Sequence, residues 1–189
     1  MKADRYGNYD ELARHEVEGM DFKRIVLRRS LSPVAVIAPH GGGIESRTSE
    51  IARAMAGEDF NLYLFEGIKR RGNYAALHVT SRRFDEPLCL GLLSNCSYVV
   101  AIHGCVGREE RVLLGGLDHS LKAKVAAGLR HAGIDVQFDG HHFQATDPIN
   151  ICNRGQSSKG LQLELTKALR CGANALRVAR AVRAVLLRL

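Results

Sequence analysis

The chain has 189 residues, of which 46% are hydrophobic and 25% charged, the composition of an ordinary globular domain with one hydrophobic core. No apolar run is long enough to cross a bilayer, and the five cysteines form no CxxC pair, which argues against a membrane protein and a disulfide framework. The net charge of +7 favours an anionic partner. Because the chain lacks a clustered basic tail and an aromatic stripe, we expect neither nucleic acid nor a membrane as that partner.

Taken in chain order, short apolar runs alternate with segments of helical periodicity. This pattern predicts an α/β fold with a mixed, mostly parallel sheet flanked by helices. The predicted strands are residues 21–27, 34–38, 62–65, 76–79, 97–102, 111–114, 134–138 and 161–165. The predicted helices are residues 9–13, 44–56, 87–95, 120–131 and 173–189. No linker or internal repeat divides the chain, so residues 1–189 are predicted to form a single domain.

Two connecting segments and the last helix have distinctive compositions. Residues 66–73 are basic and flanked by glycine, as in an exposed loop. Residues 139–159 show no periodicity, and a loop of that length in a small domain is more often functional than accidental. The last helix has arginines along one side. Its residues expected to face the core are Leu176, Ala179, Val182, Val185, Leu186 and Leu189.

The chain is organised around the end of the second predicted strand. Pro39 cannot donate to a strand ladder and therefore predicts the strand's end. It is followed by His40, three glycines and, after Ile44, Glu45. A glycine turn allows the backbone to fold until the side chains of His40 and Glu45 converge. Ligands in open α/β sheets bind at the carboxyl ends of strands, so these two side chains are candidate metal ligands.

A second strong apolar strand also ends in a histidine, His103. Together with His40 and Glu45 it completes a His/Glu/His set, the composition of a catalytic zinc site with a fourth position open for water. Any one histidine at a strand end is more commonly a hydrogen-bonded structural residue. The coincidence of two such histidines with a glutamate on a glycine turn favours a metal site.

Five further residues are candidates for catalysis or substrate binding. Glu164 lies in an otherwise apolar strand and is the candidate general base, although an outward-facing position on an edge strand would also explain it. Asn153 and Arg154, in the long loop, could hold a carboxylate, or could be solvated loop residues. His78 could replace His103 as the third ligand or hydrogen-bond a tetrahedral intermediate. Arg82 could face an acidic substrate or lie on a solvated basic turn.

Other chemistries are less favoured by the sequence. Cys105 lies close to His103, but no cysteine-hydrolase motif surrounds it and a buried free cysteine is usually inert. His141 and His142 are adjacent, so on an extended chain their side chains point apart. The glycine run 41–43 lacks the spacing and the lysine of a phosphate-binding loop.

Six blocks of sequence resemble the phage and bacillus poly-γ-glutamate hydrolase family and occur in the same order. They lie within residues 33–170 and comprise residues 37–45, 64–67, 77–81, 100–104, 150–155 and 160–165. Neither the first two dozen residues nor the C-terminal helix contributes a matching block. The resemblance implies a compact relative of the zinc carboxypeptidase fold, in the phosphorylase/hydrolase-like class.

The same resemblance assigns roles to individual residues. It implies that His40, Glu45 and His103 bind one zinc ion per chain and that Glu164 is the general base. By analogy with the wider carboxypeptidase group, Asn153 and Arg154 would hold a substrate carboxylate. His78 falls in a matching block, but its role is left open between ligand and substrate contact.

The resemblance implies a zinc-dependent hydrolase that cleaves γ-glutamyl amide bonds in poly-γ-glutamate, an acidic polymer consistent with the positive charge. Two alternatives are an amidohydrolase that releases acyl groups from small amino-acid substrates and a polyanion-binding protein without activity. We expect a monomer. The absence of a secretory signal favours the cytoplasm, with action outside the cell possible after lysis.

Overall fold

The computed structural model describes residues 4–189, which form a seven-stranded sheet with helices on both faces. The strands are β1 (Phe22–Leu27), β2 (Val34–Gly42), β3 (Asn61–Gly67), β4 (Tyr98–Cys105), β5 (Arg111–Gly115), β6 (Asp135–Gln137) and β7 (Leu161–Thr166). The helices are α1 (Tyr9–Ala13), α2 (Thr48–Ala56), α3 (Asn73–Leu77), α4 (Pro87–Leu93), α5 (His119–His131), α6 (Lys167–Cys171) and α7 (Ala175–Leu186), with a 3₁₀ turn at Ile151–Asn153.

The strands are arranged in the order β1-β3-β2-β4-β7-β5-β6. The four central strands, β3, β2, β4 and β7, are parallel to one another. β1 is antiparallel to β3 at one edge, while β5 is antiparallel to β7 and carries β6 parallel to itself at the other. The predicted α/β class and the mixed, mostly parallel sheet are therefore confirmed.

Each face of the sheet packs against its own hydrophobic cluster. Helices α2, α5 and α7 cover one face, where they bury one set of alternating strand residues, such as Val36, Val100 and Leu163. Helices α1, α3 and α4 and the 3₁₀ turn cover the other face, which includes Ile37 and Ala101. Because both faces of the central strands are covered, these strands are apolar throughout rather than alternating. None of the helices in residues 4–189 is both long and apolar enough to span a membrane.

The main error of the sequence prediction concerns residues 76–79, which were predicted as a strand. Residues Asn73–Leu77 are instead the short helix α3, and Val79 follows it as buried extended chain. The helix begins where the side chain of Asn73 closes a turn: its Oδ1 accepts from Lys69 N and its Nδ2 donates to Lys69 O. That local hydrogen bonding, together with two alanines, overrides the apolar run on which the strand was predicted.

Smaller differences concern element boundaries. β2 continues through Pro39 to Gly42, and α2 begins at Thr48 rather than at residue 44. Helix α6 follows β7 directly and was not predicted. Leu176 in α7 and Leu189 beyond its end are both predicted to face the core, but they are 45% and 39% exposed. The buried stripe begins at the first residue of the helix and comprises Ala175, Val178, Ala179, Val182 and Leu186.

The end of β2 passes so close to β3 that it requires glycine. Gly42 has φ +61°, and a Cβ there would lie 2.6 Å from the carbonyl oxygen of Gly67. Gly133 has φ +73°, but a Cβ there would meet no atom within 4 Å. Both glycines therefore have a left-handed backbone conformation, but only Gly42 lies so close to another strand that a Cβ would clash.

We expect Gly42→Ala to lower the free energy of unfolding clearly more than Gly133→Ala. The control substitution should cost about 1–2 kcal/mol for the left-handed conformation alone, whereas Gly42→Ala adds a backbone clash. Urea unfolding followed by far-ultraviolet circular dichroism measures both losses. Equal losses would show that β2 can move away from β3 without cost.

Candidate metal centre

An irregularity near the end of β2 determines where His40 points. From the partner of Ala38 to the partner of Gly41, β3 advances by two residues while β2 advances by three. Pro39 and His40 together therefore face a single residue of β3, Phe65. This extra residue is a β-bulge, and it shifts the alternation of side chains between the two faces of the sheet.

Without the bulge, His40 would lie on the same face of the sheet as Ala38, under α2. With it, the imidazole lies on the opposite face, where its neighbours are the rings of His78, Phe84 and His103. His40 is 2% exposed. A proline is tolerated within β2 because bulges, like strand ends, do not need its missing N–H.

Glu45 reaches the same place from the turn that follows β2. The backbone N–H of Glu45 donates to the carbonyl of His40, which closes the turn. The Glu45 carboxylate is buried, and its Oε2 accepts from the backbone N–H of Gly104, 2.8 Å away. Glu45 is thereby fixed between β2 and β4.

The register of β4 and β7 places His103 directly beside Glu164. Ile102, just before His103, and Leu163 and Leu165, on either side of Glu164, lie on the α2/α5/α7 face. Because side chains alternate along a strand, His103 and Glu164 therefore share the opposite face with His40. Both are buried, and Oε1 of Glu164 accepts a hydrogen bond from Nε2 of Gln162, 3.1 Å away.

His78 enters the site from α3, whose last turn it follows. Its Nε2 lies 3.9 Å from Oε1 of Glu45, and its Nδ1 lies 2.6 Å from Oδ1 of Asp4. The second oxygen of Asp4 accepts from the backbone N–H of Thr80. Asp4 therefore connects the N-terminal segment to the histidine cluster, a role that the sequence did not predict.

The candidate ligand atoms lie close together. Nδ1 of His40 is 3.1 Å from Nδ1 of His103 and 3.2 Å from Oε1 of Glu45. Nδ1 of His103 is 3.7 Å from Oε2 of Glu45. The ligand atoms of His40, Glu45 and His78 also lie within 4.8 Å of one another. Two sets of three ligands are therefore possible, and they share His40 and Glu45.

The second nitrogen of each histidine has its own partner. Nε2 of His40 lies 2.8 Å from the carbonyl oxygen of Val79, which can only accept, so Nε2 donates and the lone pair of the neutral ring is on Nδ1. Asp4 in the same way leaves the lone pair of His78 on Nε2. Nε2 of His103 lies 3.4 Å from Oγ of Ser81. Such partners orient histidines that bind metals.

The two buried glutamates have opposite electrostatic environments. Burial alone raises the pKa of Glu45, but the adjacent His40 and His103 outweigh it and hold that pKa well below the usual range. Burial and the negative charge of Glu45 raise the pKa of Glu164 well above that of an ordinary glutamate. A pair of carboxyl groups whose pKa values are pushed apart is typical of sites where one stays ionised and the other exchanges a proton.

These groups line a cleft of about 470 Å³ at the carboxyl ends of the central strands. Cys105 also lines it, but burial raises the pKa of this thiol to about 11. A cysteine that stays protonated is a poor nucleophile, so Cys105 is a weak candidate for a catalytic nucleophile.

The predicted substrate-binding residues are not all in the cleft. Arg82 lines it, with an exposed side chain whose Nε lies 2.7 Å from Oδ2 of Asp147. Asn153 is buried away from the cleft, and Arg154 is exposed outside it. The amide of Asn153 is used within the protein: it forms hydrogen bonds with backbone groups of Ala145, Asp147, Leu117 and Gly160. The structure therefore does not bring Asn153 and Arg154 to the other site residues.

An arginine that the sequence analysis did not single out does line the cleft. Arg170, on α6, is 8% exposed and donates to backbone carbonyls next to the metal-ligand cluster. The only signal in the sequence is its position six residues after Glu164. Asp4 had no signal, because it lies in a segment without a recognisable pattern.

The chain is similar in sequence to known proteins. Residues 6–176 match the sequence profile of the family described as poly-gamma-glutamate hydrolase. YndL of Bacillus subtilis is 38% identical over 170 residues, which cover 88% of this chain and 66% of YndL. The chain thus spans about two thirds of the length of this curated relative.

Solved structures of other proteins have a fold similar to that of this chain. The structure of a bacteriophage poly-gamma-glutamate hydrolase superposes with a TM-score of 0.93, at 32% identity, over 98% of both chains. The apo, zinc-free structure of YndL gives a TM-score of 0.86 at 33% identity, over 98% of this chain and 96% of that one. N-formylglutamate amidohydrolase from Ralstonia eutropha shares the fold alone, with a TM-score of 0.57 at 11% identity over 89% of this chain and 96% of that one.

The phage structure and the profile both cover almost the whole of the chain, including every residue of the histidine and glutamate cluster, and the chain belongs to the poly-gamma-glutamate hydrolase family.

Proposed function

We propose that this protein is a zinc-dependent hydrolase that cleaves γ-glutamyl amide bonds in poly-γ-glutamate. The observation that carries the proposal is the convergence of His40, Glu45 and His103 beside Glu164 in one cleft. Membership of the family supports the substrate. The zinc-free state specified for one relative's structure favours zinc over other divalent ions.

The donor set fits a zinc ion. Ligands about 2.0–2.1 Å from a tetrahedral ion are about 3.3–3.4 Å apart. The two Nδ1 atoms of His40 and His103 are 3.1 Å apart, and each lies near one oxygen of the Glu45 carboxylate, at 3.2 Å from Oε1 and 3.7 Å from Oε2 respectively, all close to that value. A catalytic zinc keeps one position open, so only one of His103 and His78 is needed as the third ligand. The separation of 3.1 Å between the Nδ1 atoms of His40 and His103 favours His103.

Zinc, when bound, would polarise the scissile carbonyl and lower the pKa of a bound water. Glu164 would take the proton of the attacking water and deliver it to the leaving nitrogen. Its Oε1 is held by Gln162, which leaves Oε2 for the proton. The raised pKa of Glu164 suits this exchange because an ordinary glutamate would hold a proton too weakly.

His78 would face the substrate side of the site with its Nε2, which the pairing of Nδ1 with Asp4 fixes in direction. Arg82, on the rim of the cleft, would contact carboxylates of the polymer beyond the scissile bond. The net charge of +7 would attract the polymer at long range.

The metal ligands can be tested by elemental analysis of purified protein. We expect about one zinc per chain in the wild type, most of it lost in His103→Ala and retained in His78→Ala. Loss in His78→Ala with retention in His103→Ala would make His78 the third ligand. No zinc in the wild type after reconstitution would contradict the metal mechanism and favour a polyanion-binding protein.

Glu164→Gln should leave zinc bound and lower the rate of polymer cleavage by about 100-fold or more, because the amide cannot accept the proton. Glu109→Gln is the control, since Glu109 is 77% exposed at the protein surface. Product sizing on poly-γ-glutamate and on small N-acyl amino acids should be run in parallel. A Gln variant that cleaves at the wild-type rate would exclude this role, and turnover of the small amides alone would favour the amidohydrolase alternative.

Asp4→Ala should lower kcat/KM by about 10-fold or more, because Nε2 of His78 would no longer be held in one direction towards the substrate. Asp4→Glu should recover part of the rate, because it keeps an acceptor for Nδ1 of His78. Asp10→Ala, which removes an exposed pair with Arg14, is the matched control. If Asp4→Ala and Asp10→Ala have the same activity, His78 needs no orientation by Asp4.

A further inference from the structure

Arg170 is a buried cation without an acidic partner. It is 8% exposed, and no carboxylate oxygen lies within 4.0 Å of its guanidinium among residues 4–189. The half-buried arginines of strands and helices, Arg24, Arg111 and Arg183, are each paired with at least one carboxylate. An unpaired charge is costly to bury, so the position of Arg170 needs a reason.

The guanidinium is held rigidly by backbone carbonyls. Nε donates to Ser46 O at 3.0 Å, and Nη1 donates to Cys105 O and Leu165 O. The side chain crosses Gly104, where a Cβ would lie 2.7 Å from Nε of Arg170. The remaining nitrogen, Nη2, forms no hydrogen bond with the described residues, and Arg170 lines the cleft.

The nearby carboxyl groups do not neutralise this charge. Glu45 is committed to His40, His103 and the N–H of Gly104. Glu164 lies farther from Arg170 than an ion pair allows, and its Oε1 accepts a hydrogen bond from Gln162 instead. Arg170 therefore has room for an anionic partner from outside the described chain, on the side of its free Nη2.

We propose that Arg170 binds the α-carboxylate of the glutamate residue that contributes the scissile nitrogen, and so selects γ-linked over α-linked chains. This inference rests on the proposed function for the identity of the substrate. Arg170 contacts Ser46, next to Glu45, and Gly104, next to His103. A carboxylate bound there would be close to the bond that is cleaved.

The chemistry of the two linkages explains the selection. In a γ-linked polymer, the carbon attached to each amide nitrogen carries a free carboxylate. In an α-linked polymer, the same carbon carries the next amide carbonyl, and the free carboxylate is at the end of the side chain. A fixed guanidinium beside the reaction centre therefore meets a carboxylate only in the γ-linked chain.

Binding can be measured without turnover in a Glu164→Gln background loaded with zinc. Isothermal titration calorimetry would use three probes: a short γ-linked glutamate oligomer, the same oligomer with its α-carboxylates converted to carboxamides, and an α-linked glutamate oligomer. The parent variant should prefer the γ-linked oligomer over both others. Adding Arg170→Gln should weaken binding of that oligomer by about 30-fold or more and remove most of the preference.

Arg82→Gln in the same background is the matched control, because Arg82 lies in the same cleft but is exposed and already paired with Asp147. It should weaken all acidic probes slightly and leave the preference intact. A folded Arg170→Gln variant that keeps the preference would overturn the proposal and make Arg170 a structural clamp. Thermal unfolding reports whether the variant folds.

If Arg170→Gln does not fold, Arg170→Lys is measured instead. Lysine keeps the charge but lacks the planar guanidinium, so the preference for the γ-linked oligomer should fall clearly. An unchanged preference in that variant would also overturn the proposal. Cleavage of poly-γ-glutamate by the wild-type enzyme is assayed separately. The wild type could fail to cleave the polymer while the binding preference still depends on Arg170. That result would reject the proposed function but would still support a carboxylate-binding site at Arg170.

Discussion

The candidate site depends on one departure from regular strand geometry. Side chains of a β-strand alternate between faces, and by that rule His40 belongs with Ala38 under helix α2. The extra residue between Ala38 and Gly41 reverses the phase and puts the imidazole on the face that His103 and Glu164 occupy. A strand without this bulge would still fold into the sheet, but its histidine would be buried in the wrong core.

The same region shows how closely the backbone and the polar side chains are fitted. The chain leaves β2 through glycines because β3 lies within contact distance, and it then turns so that Glu45 is held by an N–H from β4. His40 and His78 each have an acceptor for one ring nitrogen, so each ring presents a defined lone pair on the other, and Nε2 of His103 lies beside the hydroxyl of Ser81. Such fixed orientation is what allows a few side chains to form a metal site without first rearranging.

The charged groups of the cleft differ in their electrostatic environments. Glu45 is held ionised by the adjacent histidines, whereas Glu164 is disposed towards protonation by burial and by Glu45 itself. Arg170 adds a positive charge that no carboxylate of residues 4–189 neutralises at contact distance. A fixed cation beside two carboxyl groups whose pKa values are shifted in opposite directions suits a reaction in which an anionic substrate is bound and a proton is transferred.

The sequence by itself determined the α/β class, most strands, the placement of His40, Glu45 and His103 at the carboxyl ends of strands, and that of Glu164 within a strand, since these follow from local patterns of apolar runs, glycines and proline. Only the tertiary structure decided the rest. The sequence predicts a strand at residues 76–79, but the side chain of Asn73 starts a helix that ends just before His78. The amide of Asn153 forms hydrogen bonds with backbone groups of distant segments. Asp4 and Arg170 reach the site from opposite ends of the chain. Contacts of that kind join residues far apart in sequence, and no local periodicity records them.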